Sequence, residues 1–273
     1  MRDKKDLISV VVNCFNGSKY LKECIESILS QTYEEFEIIF WDNQSNDKSK
    51  KIINSYKDPR IKYYYSEKHT NLYEARNLAL VNCRGKYLTF LDCDDVWLNN
   101  KLQLQIDTFK KNNIKCLATN FFIKNNQINK IAIKKMIPEQ SLRNILSNYQ
   151  ICFISLMIDL NFLRENNISF NNNYQLIGDF DFILKILSHE KIYMKNTPTC
   201  IYRVHENNLS NSKIEIKQKE YDLLCKELTN YDYSIKEIRN FKYYMNYELL
   251  KYEIICKNYK NAFIKFIFKT NFY

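Results

Sequence analysis

Glycine and proline are scarce in this chain, with 3 of each among 273 residues. Asparagine, lysine, isoleucine and tyrosine are abundant instead, which indicates a compositional bias of the coding genome rather than a functional adaptation. We therefore expect asparagine to mark many of the loops in which glycine would be usual. For the same reason, an individual asparagine carries little functional weight.

Long apolar runs are also missing. No stretch approaches the roughly 18 uncharged apolar residues that a membrane-spanning helix needs. The N-terminus, MRDKKDL, leads directly into a strand pattern and not into the apolar segment of a signal peptide. We therefore expect a cytoplasmic protein, either free or peripheral at the inner face of the cytoplasmic membrane.

The 9 cysteines do not form the pattern of a zinc site, because neither a C-x-x-C pair nor a zinc-type spacing with histidine occurs. We expect reduced and mostly buried thiols. With 45% hydrophobic residues, the chain can bury the core of one large domain plus an appendage. The net charge of +10 permits an anionic partner, such as nucleic acid, lipid head groups or a phosphate-bearing substrate, but selects none of them.

Residues 7–98 alternate between strand and helix patterns. Apolar runs over 7–13, 36–41, 61–66 and 86–92 predict strands. An apolar stripe at Leu21, Cys24, Ile25, Ile28 and Leu29 predicts a helix. The alternation predicts a mostly parallel sheet, in which ligands bind beyond the carboxyl ends of the strands. Polar segments follow three of these strands: NCFNG, DNQSND and DCDD. We therefore expect one crevice where they meet.

The pattern is mixed from residue 99 onward. We predict helices over 99–113 and 139–148, a hairpin over 116–133 that turns at Asn125 and Asn126, a strand over 151–158 and a helix opening near Asp179. A boundary near 211 separates a first domain (1–210) from a basic, aromatic, helical tail (211–273).

Asp92 and Asp94 are two residues apart at a strand end, so both can point to one side while Cys93 points to the other. Two carboxylates on one side suit a hard cation, Mg²⁺ or Mn²⁺, that also holds a diphosphate. The alternative is a solvated turn in which Asp95 caps the next helix. The tripeptide D-x-D alone favours that alternative.

Five segments follow one known pattern in order and spacing: SVVVNCFNGSKYLKECIESILSQTY, DNQSND, NLYEARNLAL, FLDCDDVWL and GDFDFILKI. Over roughly residues 7–210 the chain thereby resembles the family 2 glycosyltransferases, which transfer a sugar from a nucleotide donor. The resemblance implies an α/β protein of GT-A (Rossmann-like) fold. Its mixed, mostly parallel sheet would be flanked by helices, with a C-terminal helical extension. Residues 1–210 would form the catalytic domain, with a nucleotide-binding half (1–98) and an acceptor-binding half (99–210).

The resemblance also implies a nucleotide-sugar site. Phe15 and Asn16 stand where the family holds the nucleobase and ribose, and Asp42 stands at an acid that accepts from the uracil N–H, which favours a UDP-sugar donor. The other residues implied in this site belong to later motifs: Arg76, Asn77, Asp92, Cys93 and Arg203. Asn43 and Gln44 replace the usual Asp-Gly after Asp42. Because glutamine does not readily take a positive φ, we expect a turn of different shape there.

For the chemistry, the resemblance makes Asp94 the main ligand of Mn²⁺ or Mg²⁺, with His205 joining it or contacting phosphate. Asp179 matches the general base, and inverting transfer requires one because the acceptor hydroxyl must lose its proton as it attacks the anomeric carbon. A helix N-cap after Gly178 is the plain alternative for Asp179. His69 lies outside these motifs and is predicted to be structural, as is His189.

The implied function is inverting transfer from a UDP-sugar to a hydroxyl of a growing cell-surface glycan (lipopolysaccharide, capsule or glycoprotein glycan), which would be a glycan or lipid-linked glycan acceptor. One alternative is a sugar nucleotidyltransferase, but NCFNGSKYL is not the Gly- and Arg-rich phosphate loop of that class. Another is a non-catalytic binding domain, against which the joint presence of Asp42, Asp94 and Asp179 argues. The sugar, acceptor and linkage depend on the region 116–178, where the resemblance is weakest.

The tail has two interpretations. Its Lys, Tyr and Phe residues suit an interfacial helix on an anionic membrane near a lipid-linked acceptor. They also suit a small helical bundle packed on the catalytic domain or on a second subunit of a homodimer, which we favour slightly. No nucleic-acid recognition motif accompanies these residues, so we expect no nucleic-acid partner.

Overall fold

The computed structural model describes residues 6–125, 129–206, 208, 214–231 and 233–255. The chain divides into two compact units, one of Met1–Ile145 with Tyr149–Glu206 and one of Leu146–Asn148 with Asn207–Tyr273. The first unit contains one sheet of ten strands. Its strands are β1 (Ile8–Cys14), β2 (Phe36–Asp42), β3 (Ile61–Tyr65), β4 (Tyr87–Phe90), β5 (Val96–Trp97), β6 (Cys116–Lys124), β7 (Asn129–Ile131), β8 (Glu139–Gln140), β9 (Met157–Asp159) and β10 (Ile192–Arg203).

Seven helices accompany this sheet in the described part of the first unit: α1 (Leu21–Leu29), α2 (Ser49–Ser55), α3 (Leu72–Leu80), α4 (Lys101–Asn112), α5 (Leu142–Ile145), α6 (Leu160–Glu165) and α7 (Gly178–Leu187). The apolar stripe predicted for α1 is confirmed, because Leu21, Cys24, Ile25 and Ile28 are fully buried and Leu29 is half-buried. Every residue of β1 is buried as well, as expected for a strand covered on both faces.

The sheet is mixed and mostly parallel on the side that carries the first motifs, which confirms the predicted α/β architecture. The strand order is β3-β2-β1-β4-β9-β6-β10-β5, with β7 paired to β6 and β8 paired to β10. The pairs β1–β2, β2–β3, β1–β4 and β6–β10 are parallel, whereas β9 runs antiparallel to both of its neighbours. In register, Cys14 lies beside Asp42. The carboxyl ends of β1, β2 and β4 therefore share one edge.

Two predicted elements are wrong in part. The helix predicted over 139–148 is reduced to α5, because Glu139 and Gln140 pair with β10 as β8 and Asn144 accepts from the backbone N–H of Ser141 at 3.0 Å, which starts the helix later. The strand predicted over 151–158 begins only at Met157. Before it, a 3-10 turn forms at Phe153–Ser155, where the Ser155 hydroxyl donates to the Cys152 carbonyl at 2.7 Å.

The predicted hairpin over 116–133 is confirmed as an antiparallel pairing, with Lys124 opposite Asn129. Its predicted turn at Asn125 and Asn126 is only partly visible, because 126–128 lie outside the described residues. The eight cysteines within the described ranges are free thiols, and six of them are buried.

The second unit is helical where it is described. It contains α8 (Ile214–Glu227), a 3-10 turn (Leu228–Asn230) and α9 (Ile235–Ile255). Tyr221 of α8 contacts Phe241 of α9 edge to face at 6.4 Å, and Asp222 pairs with Lys242 at 2.8 Å. Residues 211–213, 232 and 256–273 of the predicted tail lie outside the described residues. Over the helices that the structure describes, none is long and apolar enough to cross a lipid bilayer.

Candidate active site

The segments after β1 and β2 are tied together by hydrogen bonds from backbone N–H groups to side-chain oxygens. The Asn16 N–H donates to the Ser45 hydroxyl at 3.0 Å, and the Asn16 side-chain oxygen accepts from the Asn46 N–H at 2.9 Å. Asn16 takes a left-handed backbone, with φ of 54°, a conformation that asparagine tolerates better than most residues. The predicted convergence of these two strand ends is therefore seen in the structure.

Asp42 is fully buried at the end of β2. One of its oxygens accepts from the Ser45 N–H at 2.7 Å and the other from the Tyr63 hydroxyl at 2.9 Å. Burial and the bond to Asp42 raise the pKa of Tyr63. In this structure Asp42 holds the turn between Asn43 and Ser45, and its contact with a uracil N–H stays a prediction.

Gln44 occupies the left-handed region, with φ of 67°. The expectation that glutamine would avoid a positive φ here is therefore wrong. The side chain compensates, because its Nε2 donates to the Glu67 carbonyl at 2.8 Å. A left-handed non-glycine residue costs roughly 1–2 kcal/mol, and a hydrogen bond of this kind contributes about 1 kcal/mol. The hydrogen bond therefore offsets at least about half of the cost.

Phe15 and His69 form an exposed aromatic pair beside these turns. The Phe15 side chain is 52% exposed, and its ring centroid lies 4.3 Å from that of His69, which is also exposed. His69 Nδ1 lies 2.9 Å from the Asn43 backbone oxygen. His69, which belongs to none of the recognised motifs, is thus brought to the same edge as Phe15.

Arg76 of α3 is the centre of the site. Its side chain is 1% exposed, its Nη2 donates to Asp92 at 2.8 Å, and its Nη1 forms an ion pair with Asp179. The guanidinium lies 4.4 Å from the centre of the Phe153 ring and 5.6 Å from that of Phe170. A buried guanidinium needs such partners, because an unpaired buried charge is costly. Arg76 therefore joins two acids that are 87 residues apart in the chain.

Asp179 lies in the first turn of α7, whose N-cap is Ile177 and not Asp179. The N-cap alternative for Asp179 is therefore wrong. Burial raises the pKa of this carboxyl to about 6, with Asp92 adding to the rise and Arg76 opposing it. Its side chain still keeps 30% exposure. A carboxylate with such a pKa is ionised at neutral pH and is basic enough to take a proton.

Asp94 pairs with His205: its Oδ2 lies 2.9 Å from His205 Nε2. Burial and the neighbouring Asp92 raise the pKa of Asp94, while His205 opposes the rise. A carboxylate oxygen and an imidazole nitrogen are both donors for Mn²⁺ and fit the predicted cation. The described residues contain no group of three or more metal-binding side chains. A cation here would therefore take its other ligands from substrate or water.

The remaining acid of this segment, Asp95, is 1% exposed and accepts from the backbone N–H of Arg203 at 2.7 Å. The alternative of a solvated turn with Asp95 capping the next helix is wrong, because the N-cap of α4 is Asn100. The Arg203 guanidinium lies 4.5 Å from the centre of the Tyr20 ring and pairs with Glu23 at 2.7 Å. These contacts attach the end of β10 to the segment that carries Asp94 and to the start of α1.

Cys93 and Asn77 make structural contacts. A Cβ at Gly17 would lie 2.7 Å from Cys93 Sγ and 3.0 Å from Cys14 Sγ, so the thiol of Cys93 packs where only glycine leaves room. Asn77 donates to the Phe170 carbonyl at 2.9 Å and accepts from the Phe170 N–H at 3.0 Å. The nucleotide contacts predicted for Cys93 and Asn77 stay predictions.

The sequence predicts the acids of the site, but it predicts neither the role of Arg76 between them nor the long strand β10. The resemblance puts Arg76 on the nucleotide side of the crevice, whereas its ion pair with Asp179 depends on a contact across 103 residues. The available sequence signal for Arg76 is a single arginine, followed by an asparagine, in the otherwise apolar part of α3. This signal does not identify Asp179 as the partner of Arg76.

The chain is similar to known proteins over most of its length. The family model described as Glycosyl transferase family 2 matches residues 9–167. The chain is 28% identical to the Escherichia coli UDP-Glc:alpha-D-GlcNAc-diphosphoundecaprenol beta-1,3-glucosyltransferase WfgD, over 94% of this chain and 98% of the relative. It is 30% identical to the Escherichia coli enzyme WfaP, which bears the same description, over 77% of this chain and 82% of the relative.

Solved structures share the fold. Residues 1–349 of TarS from S. aureus, in complex with UDP-GlcNAc, superpose with a TM-score of 0.71 at 21% identity, over 90% of this chain and 71% of that one. The mannosyltransferase PcManGT from Pyrobaculum calidifontis, in complex with GDP-Man and Mn²⁺, gives a TM-score of 0.65 at 12% identity, also over 90% and 71%. Because the family model covers more than half of the chain, the chain belongs to glycosyl transferase family 2.

Proposed function

We propose that this protein is an inverting, metal-dependent glycosyltransferase. It moves a sugar from a UDP-sugar to a hydroxyl of a growing cell-surface glycan, with a lipid-linked glycan as the acceptor. The observation that carries the proposal is the buried Arg76, which holds Asp92 and Asp179 on one guanidinium. The descriptions of the Escherichia coli relatives, which name UDP-Glc and a diphosphoundecaprenol-linked sugar, support the donor and the acceptor class.

Asp179 is the proposed general base. In one displacement, the acceptor hydroxyl oxygen bonds to the anomeric carbon while the bond from that carbon to the UDP oxygen breaks on the opposite face. The hydroxyl proton passes to the Asp179 carboxylate, whose pKa of about 6 leaves it ionised at neutral pH. This step needs the carboxylate on the acceptor side of the sugar.

Arg76 is the proposed positioning residue. Its rigid guanidinium binds a carboxylate on each side, so the orientation of Asp179 is fixed relative to Asp92. Its charge also limits the rise in the pKa of Asp179 that burial causes. Without this charge, the pKa of Asp179 would be higher still.

Asp94 and His205 are the proposed ligands of Mn²⁺ or Mg²⁺, which when bound neutralises charge on the departing diphosphate. Asp95 and Tyr20 hold the end of β10 in place through Arg203, so His205 stays against Asp94. The proposed nucleotide side comprises residues at the strand ends and on α3: Phe15, Asn16, Asp42, Asn77, Asp92, Cys93 and Arg203.

Release of UDP on incubation with a panel of UDP-sugars, acceptor extract and Mn²⁺ tests the proposal. We expect Asp94→Ala and Asp179→Asn to abolish release. Asp107→Asn is the matched control, because Asp107 is an exposed acid on α4, and it should keep the activity of the parent. Release that survives both site variants would refute the assigned roles, and a parent that binds UDP without ever releasing it from a sugar would favour the non-catalytic alternative.

Peripheral membrane contact through the second unit is part of the proposal. In α9, Tyr243, Tyr244 and Tyr247 are each more than half exposed, and aromatic side chains of this kind favour the membrane interface. Sedimentation with anionic vesicles should carry down the parent but not a variant in which all three tyrosines are serine. A concentration-dependent dimer that the same variant disrupts would instead support the second-subunit interpretation.

A further inference from the structure

Cys14 and Cys93 lie side by side where β1 and β4 end. These strands are parallel neighbours, with Val11 beside Phe90 in register, and the Leu91 N–H donates to the Val11 carbonyl at 3.0 Å. Three residues further along each segment, Cys14 and Cys93 come to corresponding positions. Neighbouring strands are about 4.8 Å apart, which falls within the Cα separations that a disulfide can bridge.

The two sulphur atoms border one small space. A Cβ on Gly17 would lie 3.0 Å from Cys14 Sγ and 2.7 Å from Cys93 Sγ. The two thiols also form a hydrogen bond with each other. Cys14 is buried, whereas Cys93 is partly exposed. A small oxidant can therefore reach the pair from the side of Cys93.

Cys14 is the better nucleophile of the pair. The hydrogen bond from the Cys93 thiol lowers the pKa of the Cys14 thiol; burial opposes this effect, while Ser49, the Gly17 backbone and Ser45 add to it. The Ser45 hydroxyl oxygen lies 3.9 Å from Cys14 Sγ. These donors favour the thiolate, which is the form of cysteine that reacts with oxidants.

Cys93 lies between two acids of the site, Asp92 and Asp94. Asp94 Oδ2 is 2.9 Å from His205 Nε2. A disulfide brings two sulphurs to about 2 Å, which is closer than two thiols in contact can lie. Cys93 must therefore move toward Cys14 when the bond forms. Because Asp94 is the next residue, its carboxylate shifts relative to His205.

We propose that Cys14 and Cys93 form a reversible disulfide that switches the enzyme off, with a peroxide as the oxidant. The Cys14 thiolate attacks one peroxide oxygen and the O–O bond breaks, which gives a sulfenic acid on Cys14. The other oxygen leaves as water with the proton that the Cys14 thiol lost. The Cys93 sulphur then attacks the Cys14 sulphur, and its proton leaves with the sulfenic oxygen as a second water. The pair thus loses two electrons and two protons.

The loss of activity rests on the proposed function, because it acts through Asp94. The disulfide itself does not. Peptide mapping of the full-length protein, oxidised with one equivalent of hydrogen peroxide and then alkylated under denaturing conditions, therefore tests the modification without any sugar transfer. We expect a peptide in which Cys14 and Cys93 are linked, and dithiothreitol should release the link. In calorimetry with UDP, the oxidised parent should bind Mn²⁺ about tenfold more weakly than the reduced parent.

Cys14→Ser removes one thiol and keeps a hydroxyl beside Ser45. Its Mn²⁺ binding and UDP release should match those of the reduced parent and should not respond to peroxide. Thermal unfolding checks its fold, and Cys14→Ala is the second variant if the serine is not tolerated. Cys152→Ser is the matched control, because the Cys152 thiol forms the same kind of hydrogen bond with the Cys200 thiol. It should leave the response of the parent to peroxide unaltered.

Three results would overturn the inference: an oxidised parent in which Cys14 and Cys93 are not linked, a link that leaves Mn²⁺ binding unchanged, or a peroxide-dependent loss that persists in Cys14→Ser. Failure of the proposed function is recognised separately. A reduced parent that neither binds Mn²⁺ nor releases UDP would contradict that function, while peptide mapping still decides whether the disulfide forms.

Discussion

Replacing Asp179 by Asn should stabilise the fold while it removes activity. Burial raises the pKa of the Asp179 carboxyl from 3.8 to about 6, so the folded state binds this proton more tightly than the unfolded state does. Stability is therefore lost as the pH rises from about 4 to about 6. The pKa difference corresponds to about 3 kcal/mol at pH 8 and about 0.6 kcal/mol at pH 4.

Asn keeps an oxygen that can accept from Arg76 and carries no charge, so the variant avoids this cost. Because the Asp179 side chain is 30% exposed, water moderates the effect, and we expect Asp179→Asn to raise the free energy of unfolding by about 1–3 kcal/mol at pH 8. At pH 4 the gain should be about 0.5 kcal/mol or less.

The assay is urea unfolding of the parent and Asp179→Asn at pH 8 and pH 4, with UDP release measured at pH 8. Asp107→Asn serves as the control, because an exposed acid should change stability by no more than about 0.5 kcal/mol. A variant less stable than the parent at pH 8, or a gain of the same size at both pH values, would refute the reasoning about Asp179.

Three other substitutions give distinct signatures. Arg76→Lys keeps one charge but cannot bind two carboxylates, so the pKa of Asp179 should rise. The midpoint of the pH–rate profile should move up by about one pH unit, which lowers the rate below the midpoint about tenfold. An unmoved profile would contradict this. Lys101 is fully buried, and burial lowers its pKa to about 7. The free-energy cost of burying its charge is therefore present below pH 7 and fades as the pH rises toward 10.5. Lys101→Met should raise the free energy of unfolding in urea by about 3 kcal/mol at pH 6 and by almost nothing at pH 9.5, and an equal gain at the two pH values would count against this. Gly178→Ala would place a Cβ 2.6 Å from the Tyr73 ring; it should cost about 1–3 kcal/mol and lower the midpoint of thermal unfolding, and an unchanged midpoint would show that the ring moves away freely.

The parallel half of the sheet could be predicted from the sequence because its signals are local. A continuous apolar run such as Ile8–Cys14 indicates a buried strand, and the apolar stripe on α1 indicates a helix and the face that it buries. The polar ends of β1, β2 and β4 then follow from the rule that parallel strands present their carboxyl ends at one edge. This is why the acids of the site could be placed together before their contacts were known.

What the sequence did not show depends on individual side-chain contacts, some of them local and others between distant residues. The 3-10 turn at Phe153–Ser155 forms inside an apolar run that otherwise reads as a strand, because the Ser155 hydroxyl bonds locally to Cys152. The contact between Phe15 and His69 and the ion pair between Arg76 and Asp179 join separate segments. The hydrophobic periodicity of a sequence does not predict such pairs.

A crystal structure of the protein with UDP and Mn²⁺, using the anomalous signal of manganese, tests the central claim most directly. The account predicts manganese in ligand contact with Asp94 and His205 and with the diphosphate. It also predicts that the Asp179 carboxylate faces the space that the sugar and the incoming hydroxyl would fill. Manganese bound away from Asp94, or a UDP whose diphosphate lies where Asp179 cannot face the anomeric carbon, would contradict it.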